Sequence, residues 1–150
     1  MIDTVHVLAV AAALSAGAVS LLAWRVGGAD HSQPDRLVGE LRVARWAAVL
    51  LAAVGAISIG LAVGETSPAL GITDAALGTI FVGMAGIVLQ REPREGLILS
   101  AGAFVVHALL CIAHRPGWLP VDIAPRWFIV GCAVYDVYIG ALCYWPILKR

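Results

Sequence analysis

Apolar residues fall into five blocks separated by short polar stretches, at Val5–Trp24, Ala44–Gly64, Gly71–Gln90, Gly96–Ala113 and Trp127–Leu148. Each block holds about 20 residues, the length at which an α-helix crosses a hydrocarbon core about 30 Å thick. A lipid-facing segment must satisfy every backbone N–H and C=O internally, which selects helix over open strand. The pattern therefore predicts an all-α integral membrane protein, a bundle of five transmembrane helices forming one polytopic domain over residues 1–150. The third block is the least uniform, because Asp74 lies near its start.

The polar stretches orient the bundle. Five crossings put Arg25, Arg36, Arg42, Arg45, Arg91, Arg94, Lys149 and Arg150 on one side, and only Arg115 and Arg126 on the other. Basic residues accumulate on the cytoplasmic side, so the N-terminus is expected outside and the C-terminus in the cytoplasm, in the inner membrane of a bacterial-type cell. Trp24, Trp46 and Trp145 fall at expected cytoplasmic ends, Trp127 at an outer end and Trp118 in the outer loop. These are depths that suit an indole, which is apolar but carries one N–H to satisfy.

The connections are short. In "REPRE", Arg91–Glu95, Pro93 breaks the helix and forces the flanking spans to be antiparallel neighbours. The outer loop "RPGWLPVDIAPR" carries Pro116, Pro120 and Pro125 and is expected to be stiff. Before the second span, Ser32 and Asp35 resemble a capping box, and Leu37, Val38 and Leu41 share a face. A short amphipathic cytoplasmic helix is expected at 33–43.

Span two repeats small residues every four positions: Ala44, Ala48, Ala52, Ala56, Gly60 and Gly64. Ala9, Ala13 and Gly17 do so in span one, and Gly71, Ala75, Thr79 and Gly83 in span three. Helices in lipid associate through close backbone approach over small side chains. Ala48, Ala52, Ala56 and Gly60 are thus the expected packing face, serving either the bundle itself or a second copy or partner subunit.

Apart from His6 and Arg45, each next to a span end, three charged or imidazole side chains lie inside the spans: Asp74, His107 and Asp136. Counting 1.5 Å per residue, Asp136 lies about 13 Å, His107 about 10 Å and Asp74 about 5 Å below the outer boundary. An acid at such depth must be neutral, paired or hydrated, and is a functional candidate by default. Spans four and five are joined by the twelve-residue outer loop, so His107 and Asp136 are placed to meet. Ser100, His107, Cys111 and His114 form one stripe of span four. Cys132, Asp136 and Cys143 share a face of span five, with Tyr135 and Tyr138 beside it. Asp74, next to Thr73, reads as an N-terminal cap or dipole partner.

Three chemistries use this set. Asp136 and His107 suit proton or cation transfer, because imidazole titrates near neutrality. His107, Cys111 and His114 offer borderline and soft ligands suited to copper or zinc. A bis-histidine haem would need His6 and His114, both at outer ends. Alternatively, the His107–Asp136 pair only fixes helix register. No cofactor is specified by these residues.

Composition narrows the alternatives. Of 150 residues, 61% are hydrophobic and 13% charged, with formal net charge zero and mean hydropathy +0.90. No basic surface points to nucleic acid. Cys111, Cys132 and Cys143 all lie in apolar blocks, without CxxC spacing, and read as inert thiols. The N-terminus "MIDTVH" lacks the basic region of a secretory signal, so the first block is expected to be a retained span. The HxE…PCxxC, HExxH, Walker A and GxSxG patterns do not occur, so no catalytic residue is assigned and enzymatic activity stays open. In size and span number the chain resembles the tryptophan-rich translocator family that binds porphyrins, but that family's Trp/Pro-rich motifs are absent and no residue role is carried over. The leading expectation is a membrane subunit or self-assembling bundle, in contact with lipid and with its own copies or partner subunits, around a polar site at His107 and Asp136. The rival expectation is a small proton-coupled transporter built on the same residues.

Overall fold

The computed structural model describes residues 4–29, 34–63, 68–114 and 124–149. Among them lie five α-helices: α1 (Thr4–Gly27), α2 (Pro34–Val63), α3 (Pro68–Gln90), α4 (Pro93–Ala113) and α5 (Arg126–Leu148). All five are long and apolar enough to cross a membrane. Their outward faces are as apolar as their inward ones, with Leu14, Leu21, Ile72, Val134 and Leu148 all exposed. In water such faces would drive aggregation; in lipid they are the solvated surface.

The helices pack as a ring in chain order, α1 to α5 and back to α1, and α2 also reaches α4 and α5. Val19, Val43, Ala47, Leu51, Leu97, Phe104, Ile139 and Cys143 are fully buried where they converge. Between α3 and α4 the turn closes in two residues, Arg91 and Glu92, and Pro93 begins α4, where its missing N–H costs nothing.

The segment at 33–43 is not a separate amphipathic helix. From Pro34 onwards it is continuous with α2, whose 30 residues span about 45 Å and so outrun the hydrocarbon core. Nothing in residues 34–43 breaks the helix, since Gly39 is tolerated there and also lets α1 approach: a Cβ at Gly39 would lie 2.5 Å from Val26 Cγ2. The expected Ser32 cap, Trp118, Pro116 and Pro120 lie outside the described residues.

The small-residue face is placed differently from the four-residue spacing. Ala44 and Ala48 are buried, but Ala52 is half-buried and Ala56 and Gly60 face outward. On a helix of 3.6 residues per turn, a strict spacing of four rotates by about 40° per step. A run that starts against the bundle therefore leaves it within a few turns. In span three, Thr79 and Gly83 likewise turn outward. The close approach lies at Gly55 and Gly78 instead. A Cβ at Gly55 would sit 2.5 Å from the Gly78 carbonyl oxygen, and a Cβ at Gly78 would sit 2.6 Å from that of Gly55. The two glycines let α2 and α3 touch backbone to backbone.

One buried cation ties the opposite end together. Arg36 Nη2 donates to the carbonyls of Pro146 (2.9 Å) and Lys149 (3.0 Å), Nη1 to that of Ala29 (3.2 Å), and Nε to Glu40 Oε1 (3.2 Å). The last carbonyls of a helix have no intrahelical donors, and the guanidinium fork supplies them for α5 while holding the end of α1. Positive-inside counting registers Arg36 only as one cytoplasmic charge.

Two expectations follow for thermal unfolding of the protein in micelles. Gly55→Ala and Gly78→Ala each destabilise by about 1–3 kcal/mol, because the helices must part, whereas Ala56→Leu leaves the midpoint unchanged. Arg36→Ala costs about 3 kcal/mol, since several carbonyls lose a charged donor together.

Candidate functional site

At the end where α2 and α4 finish and α3 and α5 begin, the ring leaves a half-open cavity of about 90 Å³. Apolar side chains, among them Val54, Leu77, Phe81 and Phe128, form most of its wall. Its polar groups are Ser58, Asp74, His107, Cys111, His114 and Cys132.

His107, on α4, and Asp136, on α5, meet beside this cavity, with Nδ1 2.5 Å from Oδ2. Asp136 is fully buried and His107 is 8% exposed. The edge of Phe81 packs against the imidazole with ring centroids 4.9 Å apart and planes at 87°, fixing its orientation. Cys111, one turn further along α4, places Sγ 3.6 Å from His107 Nδ1. The second carboxylate oxygen, Asp136 Oδ1, and Ser100 Oγ are buried without a hydrogen-bond partner among the described residues. Gly140 eases the approach of α5 to α4, since a Cβ there would lie 3.3 Å from the Ala101 carbonyl oxygen.

A second pair stands nearer the bundle end. His114 Nε2 lies 3.1 Å from Asp74 Oδ1, and His114 Nδ1 lies 2.7 Å from the Leu110 carbonyl oxygen, joining α4 to α3. Asp74 is therefore neither a cap nor at a helix start. It lies six residues into α3, because that helix begins at Pro68, before the apolar run that marks the span. Spacing in a single block cannot reveal such a cross-helix partner.

The other candidates are distributed elsewhere. Tyr135 and Tyr138 turn from the cavity towards α1, where their hydroxyls lie 2.8 Å from Ser15 Oγ and Ser20 Oγ. Adjacent helix positions diverge by about 100°, so residues flanking Asp136 cannot share its direction. Cys132 lines the cavity, whereas Cys143 is fully buried in the apolar layer below. The histidine pair for a haem is not assembled. His6 is exposed on α1, which packs on α2 and α5 but not on α4 among the described residues. His114 is also withdrawn from the metal set by its bond to Asp74. The group whose ligand atoms all lie within 4.8 Å of one another is His107, Cys111 and Asp136.

Comparison with family models, with curated proteins and with solved structures finds no match, so the interpretation rests on the chemistry of these side chains.

A double-mutant cycle tests the central pair. His107→Leu, which strands the Asp136 carboxyl, is expected to lower stability by about 3 kcal/mol, and adding Asp136→Leu to recover most of the loss. Thermal unfolding of the three variants checks it; simply additive losses would mean that the two side chains do not act together.

Proposed function

We propose that the protein is a small multi-pass inner-membrane protein whose working centre is a largely apolar pocket edged by polar groups and open to one side, a binding site and not a conduit. The observation that supports this most is the His107–Asp136 pair, buried at 2.5 Å beside a cavity that opens at one end of the bundle. A carboxyl and an imidazole so placed hold one proton between them, and the cavity gives water or a ligand a route to it.

Below the pair the bundle is filled with apolar side chains. Phe104, Leu51, Leu97, Ile139 and Cys143 are fully buried there, and Ser100 supplies the single polar side chain of that layer among the described residues. An ion moving on from Asp136 would meet no donor or acceptor chain. The arrangement suits uptake and release on the same side. By the distribution of arginine and lysine, that side is the outer one.

Two His–Asp pairs in series along α4 favour a second reading, proton-coupled transport, in which the apolar layer opens in another conformation. Proton flux into proteoliposomes that is lost in Asp136→Asn, with the fold intact, would support that reading over ours.

A membrane-impermeant thiol reagent tests the one-sided pocket. Added from the outer face of intact cells, it is expected to modify Cys111 and Cys132 but not Cys143, and from the cytoplasmic face of inverted vesicles none of the three. Labelling of Cys111 from the cytoplasmic face, or from neither face, would contradict the assignment.

A further inference from the structure

We propose that His107, Cys111 and Asp136 form a binding site for a divalent transition-metal ion of the zinc class, a proposal that rests on the one-sided pocket and names its ligand. The three residues offer one imidazole nitrogen, one thiol sulfur and one carboxylate oxygen, all within 4.8 Å of one another. Zinc binds at about 2.0–2.1 Å to nitrogen and about 2.3 Å to sulfur, so a tetrahedral N–Zn–S edge measures about 3.5 Å. Cys111 Sγ and His107 Nδ1 already stand 3.6 Å apart. The His107–Asp136 contact, at 2.5 Å, needs to open by about 0.8 Å to admit an ion between its atoms.

A second observation concerns Asp136 itself. It is fully buried, yet Oδ1 has no partner among the described residues. A carboxylate that only fixed helix register would be expected to have its remaining acceptor filled by protein. The donor set also discriminates by softness. A thiolate and an imidazole suit zinc and its neighbours, whereas calcium and magnesium take oxygen ligands.

Charge selects the oxidation state. Before binding, the pair shares one proton and Cys111 carries another, so the three groups together are neutral. An entering dication takes the place of both protons, which leave through the pocket. The ligands become a neutral imidazole that keeps its Nε2 hydrogen, one carboxylate and one thiolate. The occupied site is again neutral, so no net charge is created at membrane depth, where an unpaired charge is costly. A monovalent ion in the same place would leave a net negative charge. A water taken up from the cavity can fill the fourth coordination position, which leaves the site neutral.

Cobalt(II), which takes zinc's geometry and reports thiolate ligation by its absorption, is the probe. Titrated into the full chain in lipid nanodiscs, it is expected to bind at one ion per chain, with a thiolate-to-cobalt charge-transfer band that zinc abolishes. Cys111→Ser should eliminate the band, Asp136→Asn should weaken binding at least about tenfold, and His6→Ala, on the exposed face of α1, should leave both band and stoichiometry in place. Absence of the band at saturating cobalt, or a band that survives in Cys111→Ser, overturns the proposal. Melting midpoints of the variants separate lost ligands from lost fold. One-sided thiol labelling of Cys111 separates the two readings: a labelled Cys111 with no cobalt band sinks the metal site alone, and an unlabelled one sinks the pocket as well.

Discussion

A buried carboxylate needs a partner, and much of this molecule is arranged around giving Asp136 one. In an apolar medium an isolated carboxylate is so costly that it either gains a proton or gains a donor. His107 supplies the hydrogen-bond partner from the neighbouring helix, and the pairing requires α4 and α5 to lie close at one level and in one rotation. Gly140 eases the approach, and Phe81 on α3 fixes the ring that makes the bond. The pair thus constrains three helices through two side chains.

The rest of the bundle divides into two unlike halves. Towards the end where α4 finishes, side chains leave space, and imidazoles, carboxyls and thiols border it. Towards the other end, large apolar side chains fill the centre, and among the described residues the one buried charged group there is Arg36, which caps helix carbonyls from the edge. Filling is what dispersion and lipid exclusion favour. A cavity edged by titratable groups is therefore the departure from default packing, and departures of this kind collect at functional sites. The close Gly55–Gly78 contact supports the division by joining α2 and α3 directly beside the pocket wall, where Val54, Ser58 and Leu77 line it.

Much of this was legible in the sequence, for a physical reason: bilayer thickness sets a length scale that five apolar runs reproduce. Counting residues along spans four and five put His107 and Asp136 near one level, and the structure brings the two side chains together. What could not be read depended on rotation and on partners from other helices. The four-residue stripe of α2 drifts around the helix, so Ala56 and Gly60 do not pack within the bundle, and the close contact at Gly55 lies off that stripe. Asp74 read as lying at a helix end because the expected span begins at Gly71, whereas α3 begins three residues earlier at Pro68. Its partner His114 lies 40 residues away. Arg36 was visible as a charge but not as a cap, because its acceptors are backbone atoms of α5. Tyr135 and Tyr138 were grouped with Asp136 by adjacency, although a helix sends successive side chains in different directions.

The most direct test of the account is nitrogen-15 solid-state NMR of the imidazoles in histidine-labelled protein reconstituted in lipid bilayers. The account predicts one buried histidine whose Nδ1 signal shows a short hydrogen bond to a carboxyl group, is lost from its position in Asp136→Asn, and exchanges its proton with added D₂O. A His107 spectrum of a free neutral imidazole, unchanged by Asp136→Asn, would contradict it.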